Sequence, residues 1–168
     1  MKRAVIITSS GFRDEEFTYP YYRLLESDFT VDITTKNGET VFGKFGQPAK
    51  ANKSIGDIKA SDYDLCLLPG GLEAPDHVRA WPEALKFIQE MNNQGKILAA
   101  ICHAPWILIS ANVVKGRKIT AYWSMEADVR NSGAEYLHKA PVVIDGNIIT
   151  SPHYDNNPQF MKAVLSKF

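Results

Sequence analysis

Ile97-Leu98-Ala99-Ala100-Ile101-Cys102-His103-Ala104-Pro105 is the stretch on which the fold turns. Its five opening residues are all apolar, the pattern of a strand buried on both faces. Pro105 then suits the first turn of a helix over 104–111, because its missing N–H would lack an intrahelical partner anyway. Outward from this corner the same unit recurs. Upstream, residues 81–93 carry Leu85, Ile88 and Met91 at helical spacing and stop at Gly95. Before them Leu65-Cys66-Leu67-Leu68 is another apolar strand, ended by Pro69-Gly70-Gly71.

Nearer the start, residues 4–8 read as a buried strand, 9–14 as a polar turn and 15–26 as an amphipathic helix. Residues 29–35 read as a second strand and 39–51 as a glycine-rich hairpin or irregular excursion. Ser54-Ile55-Gly56-Asp57 has the spacing of a capping box opening a short helix. Downstream, 119–121 reads as a strand and 124–131 as a helix ending near Gly133. Residues 142–144 and 148–150 form a hairpin with a type I′ turn at Asp145-Gly146, and 158–167 is a closing helix. Apolar strands each followed by a helical period predict a doubly wound α/β fold, a mostly parallel sheet sandwiched by helices. Such sheets bind ligands beyond the carboxyl ends of their strands. That rule selects residues 9–16, residues 69–76, and Cys102 with His103.

With 168 residues the chain predicts one domain spanning 1–168. Its 19 basic and 19 acidic residues balance to zero, so its bulk charge attracts neither nucleic acid nor an anionic membrane. The apolar runs are far shorter than the roughly 18 residues a membrane span needs. Two cysteines, Cys66 and Cys102, are too few for a disulfide framework and suit a reducing cytoplasm. The four histidines and two cysteines show no paired metal-ligand spacing, and Gly70-Gly71 makes no nucleotide-binding signature. The expectation is therefore a cofactor-free protein whose easier partner is a neutral small molecule or a peptide.

Small residues stand two before and two after Cys102, as at a nucleophile elbow, where a tight turn makes the nucleophile project. A thiol at a helix N-terminus is expected to ionise more easily, which predicts an exposed Cys102 thiolate near neutral pH. Cys66, inside a strand, is expected to be inert core. His103 follows the thiol directly and either touches sulfur or holds the loop through another group. Gly70 and Gly71 allow backbone N–H groups to approach an oxyanion over Cys102, although an ordinary tight turn has the same spacing. Glu15 and Glu16 suit a helix start on electrostatic grounds alone. Only the neighbourhood of the cysteine corner gives either a chemical role. His77 and His138 read as surface residues.

These residues, with Glu15-Glu16-Phe17-Thr18-Tyr19-Pro20, Gly43-Lys44-Phe45-Gly46, Leu67-Leu68-Pro69-Gly70-Gly71, Gly116-Arg117-Lys118 and Asn131-Ser132-Gly133-Ala134-Glu135, follow a series. In that order the chain resembles the ThiJ/PfpI superfamily over nearly its whole length, most closely its intracellular-protease-like branch. The resemblance implies a flavodoxin-like, class I glutamine amidotransferase-like fold and a homo-oligomer, dimer or hexamer. It implies that Cys102 is the elbow nucleophile, His103 its following histidine and Glu16 the acid against the sulfur. It further implies that Asp76 orients a neighbouring subunit's histidine, and that Tyr122 and Lys44 line the pocket. Arg13 and Gly11 depart from the branch, where acids are common, and predict a less negative mouth.

Four activities follow from the resemblance and the residues. The first is chemistry on reactive carbonyls such as methylglyoxal or on glycated adducts, as in glyoxalase III or a protein deglycase, serving stress protection. Glu16 or His103 would move protons there. The second is an intracellular cysteine peptidase with Gly70 and Gly71 holding the oxyanion. The third, weaker, is an amidotransferase-like triad of Cys102, His153 and Asp155. The fourth is a redox sensor or chaperone that uses oxidation of Cys102.

Overall fold

Alternate side chains of the first strand point opposite ways, and that alternation builds two cores. In β1 (Lys2–Ile7), Val5 and Ile7 join one apolar cluster while Ala4 and Ile6 join another. The structure, a computed structural model, describes residues 2–168. After β1 come α1 (Asp14–Leu25), β2 (Phe29–Thr35), β3 (Val41–Phe42), β4 (Pro48–Ala49), β5 (Lys53–Ser54) and β6 (Leu65–Leu68). Then follow α2 (Glu73–Val78), α3 (Pro82–Asn93), β7 (Ile97–Ile101), α4 (Pro105–Ser110), β8 (Lys118–Ile119) and α5 (Glu126–Asn131). The last elements are β9 (Glu135–Tyr136), β10 (Val143–Asp145), β11 (Ile148–Ser151) and α6 (Asn157–Leu165).

Seven strands form the main sheet in the order β10-β11-β7-β6-β1-β2-β5. Every pairing in it is parallel except β10 with β11. On one face Phe87, Ile88 and Met91 of α3 and Ile107 and Leu108 of α4 pack on Cys66, Leu68, Leu98 and Ala100. On the other, Phe17 and Leu24 of α1 and Phe160, Met161 and Val164 of α6 pack on Leu65, Leu67, Ala99 and Ile101. Full burial of such a side chain contributes roughly 1.5–3 kcal/mol. The doubly wound, mostly parallel α/β fold expected from the sequence is the one observed. No helix among the described residues is long and apolar enough to cross a membrane.

Local expectations fail in four places. Ser54 does not cap a backbone N–H. Its hydroxyl donates to Asp57 Oδ2 at 2.6 Å, and residues Ile55–Asp57 form only a 3-10 turn. The β10–β11 hairpin turns on Gly146-Asn147, since Asp145 pairs with Ile148, and of these two only Gly146 has positive φ, at 60°. That is the pattern of a type II′ turn, not I′. The strand expected at 119–121 stops at Ile119 and pairs with β9 in a separate two-stranded sheet. The helix α2 was hidden in the sequence by its shortness and by Pro75, which a first turn tolerates.

Candidate active site

The carboxyl ends of β1, β6 and β7 meet at one edge of the sheet, as the parallel topology demands. A fourth end joins them. Only β10 of the hairpin is antiparallel to its neighbour, so β11 runs alongside β7 and delivers His153 and Tyr154 to the same cleft. The cleft encloses about 570 Å³ and is lined by Glu16, Gly71, Cys102, His103, Tyr122 and Lys44 of the expected site residues.

Cys102 adopts φ 63°, a left-handed conformation that costs a non-glycine residue roughly 1–2 kcal/mol. Two backbone bonds hold it there. Its N–H donates to the Ser151 carbonyl at 2.9 Å, and its carbonyl accepts from the Tyr122 N–H at 2.9 Å. Ala100 and Ala104 on either side are fully buried, leaving no room for larger neighbours. This is the elbow geometry that the small flanking residues predict.

Gly70 is where the elbow meets α1. A Cβ there would collide with Glu16 Oε2 and fall 2.6 Å from both the Cys102 Cβ and the Ile101 carbonyl oxygen. Only glycine lets the acid and the thiol approach across it. Of the three acids in the first turn of α1, Asp14 is half-buried, Glu15 exposed and Glu16 wholly buried. Burial pushes the Glu16 carboxyl up to about 8, against the opposing pull of the Cys102 thiol, the Gly70 N–H and the Arg13 charge. Neither Glu16 oxygen makes a hydrogen bond of full geometry, as expected of a carboxyl held mainly in its neutral form. At neutral pH it carries a proton.

The thiol departs from expectation. Cys102 is 7% exposed rather than projecting into solvent. Burial raises its pKa, and a charged Glu16 would raise it further, while the N–H groups of Gly71 and His103 work the other way. The anticipated free thiolate is therefore not its resting state. The helix that follows has only six residues, too short to offset burial. A ready base lies beside it, because His103 Nδ1 is 3.3 Å from the sulfur. Burial lowers the His103 pKa despite the opposing charge of Asp128, so the ring is neutral at pH 7. The ring is clasped between Tyr122, 4.6 Å away and stacked, and Trp106, 5.0 Å away, whose Nε1 donates to Asp128 at 2.9 Å.

The two glycines divide their work. The Gly71 and His103 N–H groups face the Cys102 sulfur, whereas that of Gly70 faces Glu16. Asp76 is exposed on α2 and makes no bond to His103 within the chain. Within the chain the carboxylate that acts on His103 is Asp128, a residue sequence spacing gave no reason to select. The His153–Asp155 pair does form, at 3.1 Å, and His153 reaches the cleft, but the imidazole touching sulfur is His103. His77, bonded to the Ser9 hydroxyl at 3.3 Å, and His138 are exposed. The mouth is not simply stripped of acid where glycine replaces it, for the Glu73 side chain fills the space over Gly11.

The DJ-1/PfpI family profile matches residues 2–167. The chain belongs to the DJ-1/PfpI family. It is 39% identical over 166 residues to protein/nucleic acid deglycase 2 of Escherichia coli, covering 98% of this chain and 96% of that one. It is 38% identical over 149 residues to deglycase PH1704 of Pyrococcus horikoshii, covering 89% of each. A two-domain Anabaena variabilis protein with DJ-1/ThiJ/PfpI-like and ferritin-like domains superposes with TM-score 0.96 at 34% identity. That match covers 99% of this chain and 48% of the larger protein. Family membership thus agrees with the resemblance read from the motifs.

Proposed function

We propose that the chain is a cysteine-dependent enzyme of the deglycase type, acting without a cofactor on reactive carbonyls and their adducts with proteins. The observation that carries this is the protonated, buried Glu16 against a thiol whose other side meets a neutral imidazole. The names of its E. coli and P. horikoshii relatives support the same reading.

His103 Nδ1 takes the Cys102 proton as sulfur attacks the aldehyde carbon of methylglyoxal. The S–C bond forms, the C=O π pair moves to oxygen, and Gly71 and His103 N–H groups hold that oxygen while Glu16 protonates it. The product is a hemithioacetal. The Glu16 carboxylate then removes the C1 hydrogen as a proton while protonated His103 protonates the C2 oxygen, giving an enediol. Glu16 returns its proton to C2 as the C1 hydroxyl proton passes to His103, leaving a lactoyl thioester. Water hydrolyses that ester to lactate and restores the thiol. With an adduct on an amine or thiol, the C1–N or C1–S bond breaks first, the protein group leaves with the C1 hydroxyl proton, and Cys102 captures the freed aldehyde by the same addition.

The proposal includes a cytoplasmic homo-oligomer in which Asp76 of a second copy orients His103. Light scattering with an Asp76→Asn variant tests that part: loss of activity with unchanged size supports it. The core is tested by incubating the protein with methylglyoxal and following lactate. Lactate no higher than in a Cys102→Ala control removes the proposal.

A further inference from the structure

Arg13 is a cation on the wall of the cleft that the chemistry above does not use. Its guanidinium lies over two aromatic rings and is hydrogen-bonded along one edge. Cζ lies 4.9 Å from the centre of the Phe45 ring and 4.2 Å from that of Tyr154. Nε and Nη2 donate to the Glu15 carboxylate at 2.7 and 3.1 Å. The other edge, Nη1 with the second Nη2 hydrogen, makes no hydrogen bond among the described residues. A planar edge with two N–H donors matches an incoming carboxylate or phosphate in geometry. Its position relative to the reacting atoms is fixed, because the Arg13 N–H donates to the Gly70 carbonyl at 3.1 Å. Its charge also reaches the centre, since it is one of those acting on Glu16. Lys44, on the same wall, has its Nζ 5.8 Å from the Phe45 ring and no carboxylate partner. The one acid of the cleft wall besides Glu16, Glu73, packs over Gly11 and is paired with neither cation.

We propose that Arg13 selects an anionic carbonyl: an aldehyde bearing a carboxylate or phosphate, whose charge docks on the free guanidinium edge while its carbonyl carbon meets the Cys102 sulfur. This rests on the reading that Cys102 adds to aldehydes, and deepens it by naming the substrate class.

The test reads the field at Cys102 without needing turnover. The intact protein is alkylated with anionic iodoacetate and neutral iodoacetamide, and Cys102 is followed by mass spectrometry. In Arg13→Gln the iodoacetate-to-iodoacetamide rate ratio falls about fivefold, from loss of one unit charge at this range. Arg13→Lys restores part of it, and Glu15→Gln, which frees the guanidinium, raises it. Lys86→Gln, a remote exposed cation, leaves it in place. An unmoved ratio in a folded Arg13→Gln overturns the proposal, and if that variant does not fold, a fall rather than a rise in Glu15→Gln overturns it. Protection from iodoacetamide is then compared for glyoxylate, glycolaldehyde phosphate and neutral glycolaldehyde. Either anion ahead of the neutral compound supports the proposal and identifies the preferred group, whereas equal protection by all three overturns it. A protein that shifts the ratio but makes no lactate sinks the enzymatic reading alone. Lactate formation with an unmoved ratio sinks the Arg13 inference alone.

Discussion

Cys66 and Cys102 belong to neighbouring strands of one sheet, and their fates differ by position along the strand. Cys66 sits mid-strand in β6, fully buried between apolar helices, with burial alone holding its thiol protonated. Cys102 lies one residue past the end of β7, on the opposite face, and is nearly as dry. Exposure therefore does not separate them. What separates them is polar company, since Cys102 has a carboxyl, an imidazole and two backbone N–H groups around its sulfur. The lesson is that a thiol is made reactive by where its proton can go, not by a surface position.

The sharpest way to break that contrast is to remove each sulfur in turn. Cys102→Ala is expected to lower lactate formation by at least about a thousandfold. Cys66→Ala should leave the rate in place and cost on the order of 1 kcal/mol in urea unfolding, from the small cavity left behind. A comparable rate loss in both would show that the elbow is not special.

Next comes the acid. Glu16→Gln keeps the shape but cannot cycle a proton, so turnover should drop on the order of a hundredfold. The alkaline fall in rate, centred near pH 8 where Glu16 loses its proton, should disappear with it. Stability moves too. The folded pKa of Glu16 is above its unfolded value of 4.5, so its contribution is fully present below pH 4.5 and is lost as pH rises toward about 8. Melting temperatures across pH 5–8 should decline less in Glu16→Gln than in the unaltered protein.

Gly70→Ala probes the approach itself. Its methyl would overlap both Glu16 and Cys102, which should destabilise the fold by about 1–3 kcal/mol and remove most activity in whatever fraction still folds. The smallest effect is expected of Asp128→Asn. Without that charge the His103 pKa falls further, moving the acid limb of the rate profile down by a few tenths of a pH unit.

Much of this contrast was legible beforehand. The apolar run 97–101 followed by Pro105 defines the strand-to-helix corner, and the alanines two either side of Cys102 mark it as tight. Glycine at 70 is equally visible, but its consequence is not, because the atoms it admits come from residues 16 and 102. The last hairpin was legible, but not that its second strand lies parallel to β7, which is what carries His153 and Tyr154 to the cleft. Asp128 lacked any local signal, since its charge acts on His103 from a different helix.

The sequence alone determined the parallel sheet and the elbow at Cys102, because hydrophobic period and backbone sterics act over a few residues. Protonation was decided only by the tertiary structure. Closing the cleft dries both the thiol and the Glu16 carboxyl, and in a poorly solvated site the neutral forms win over the charged ones that an isolated helix start would favour.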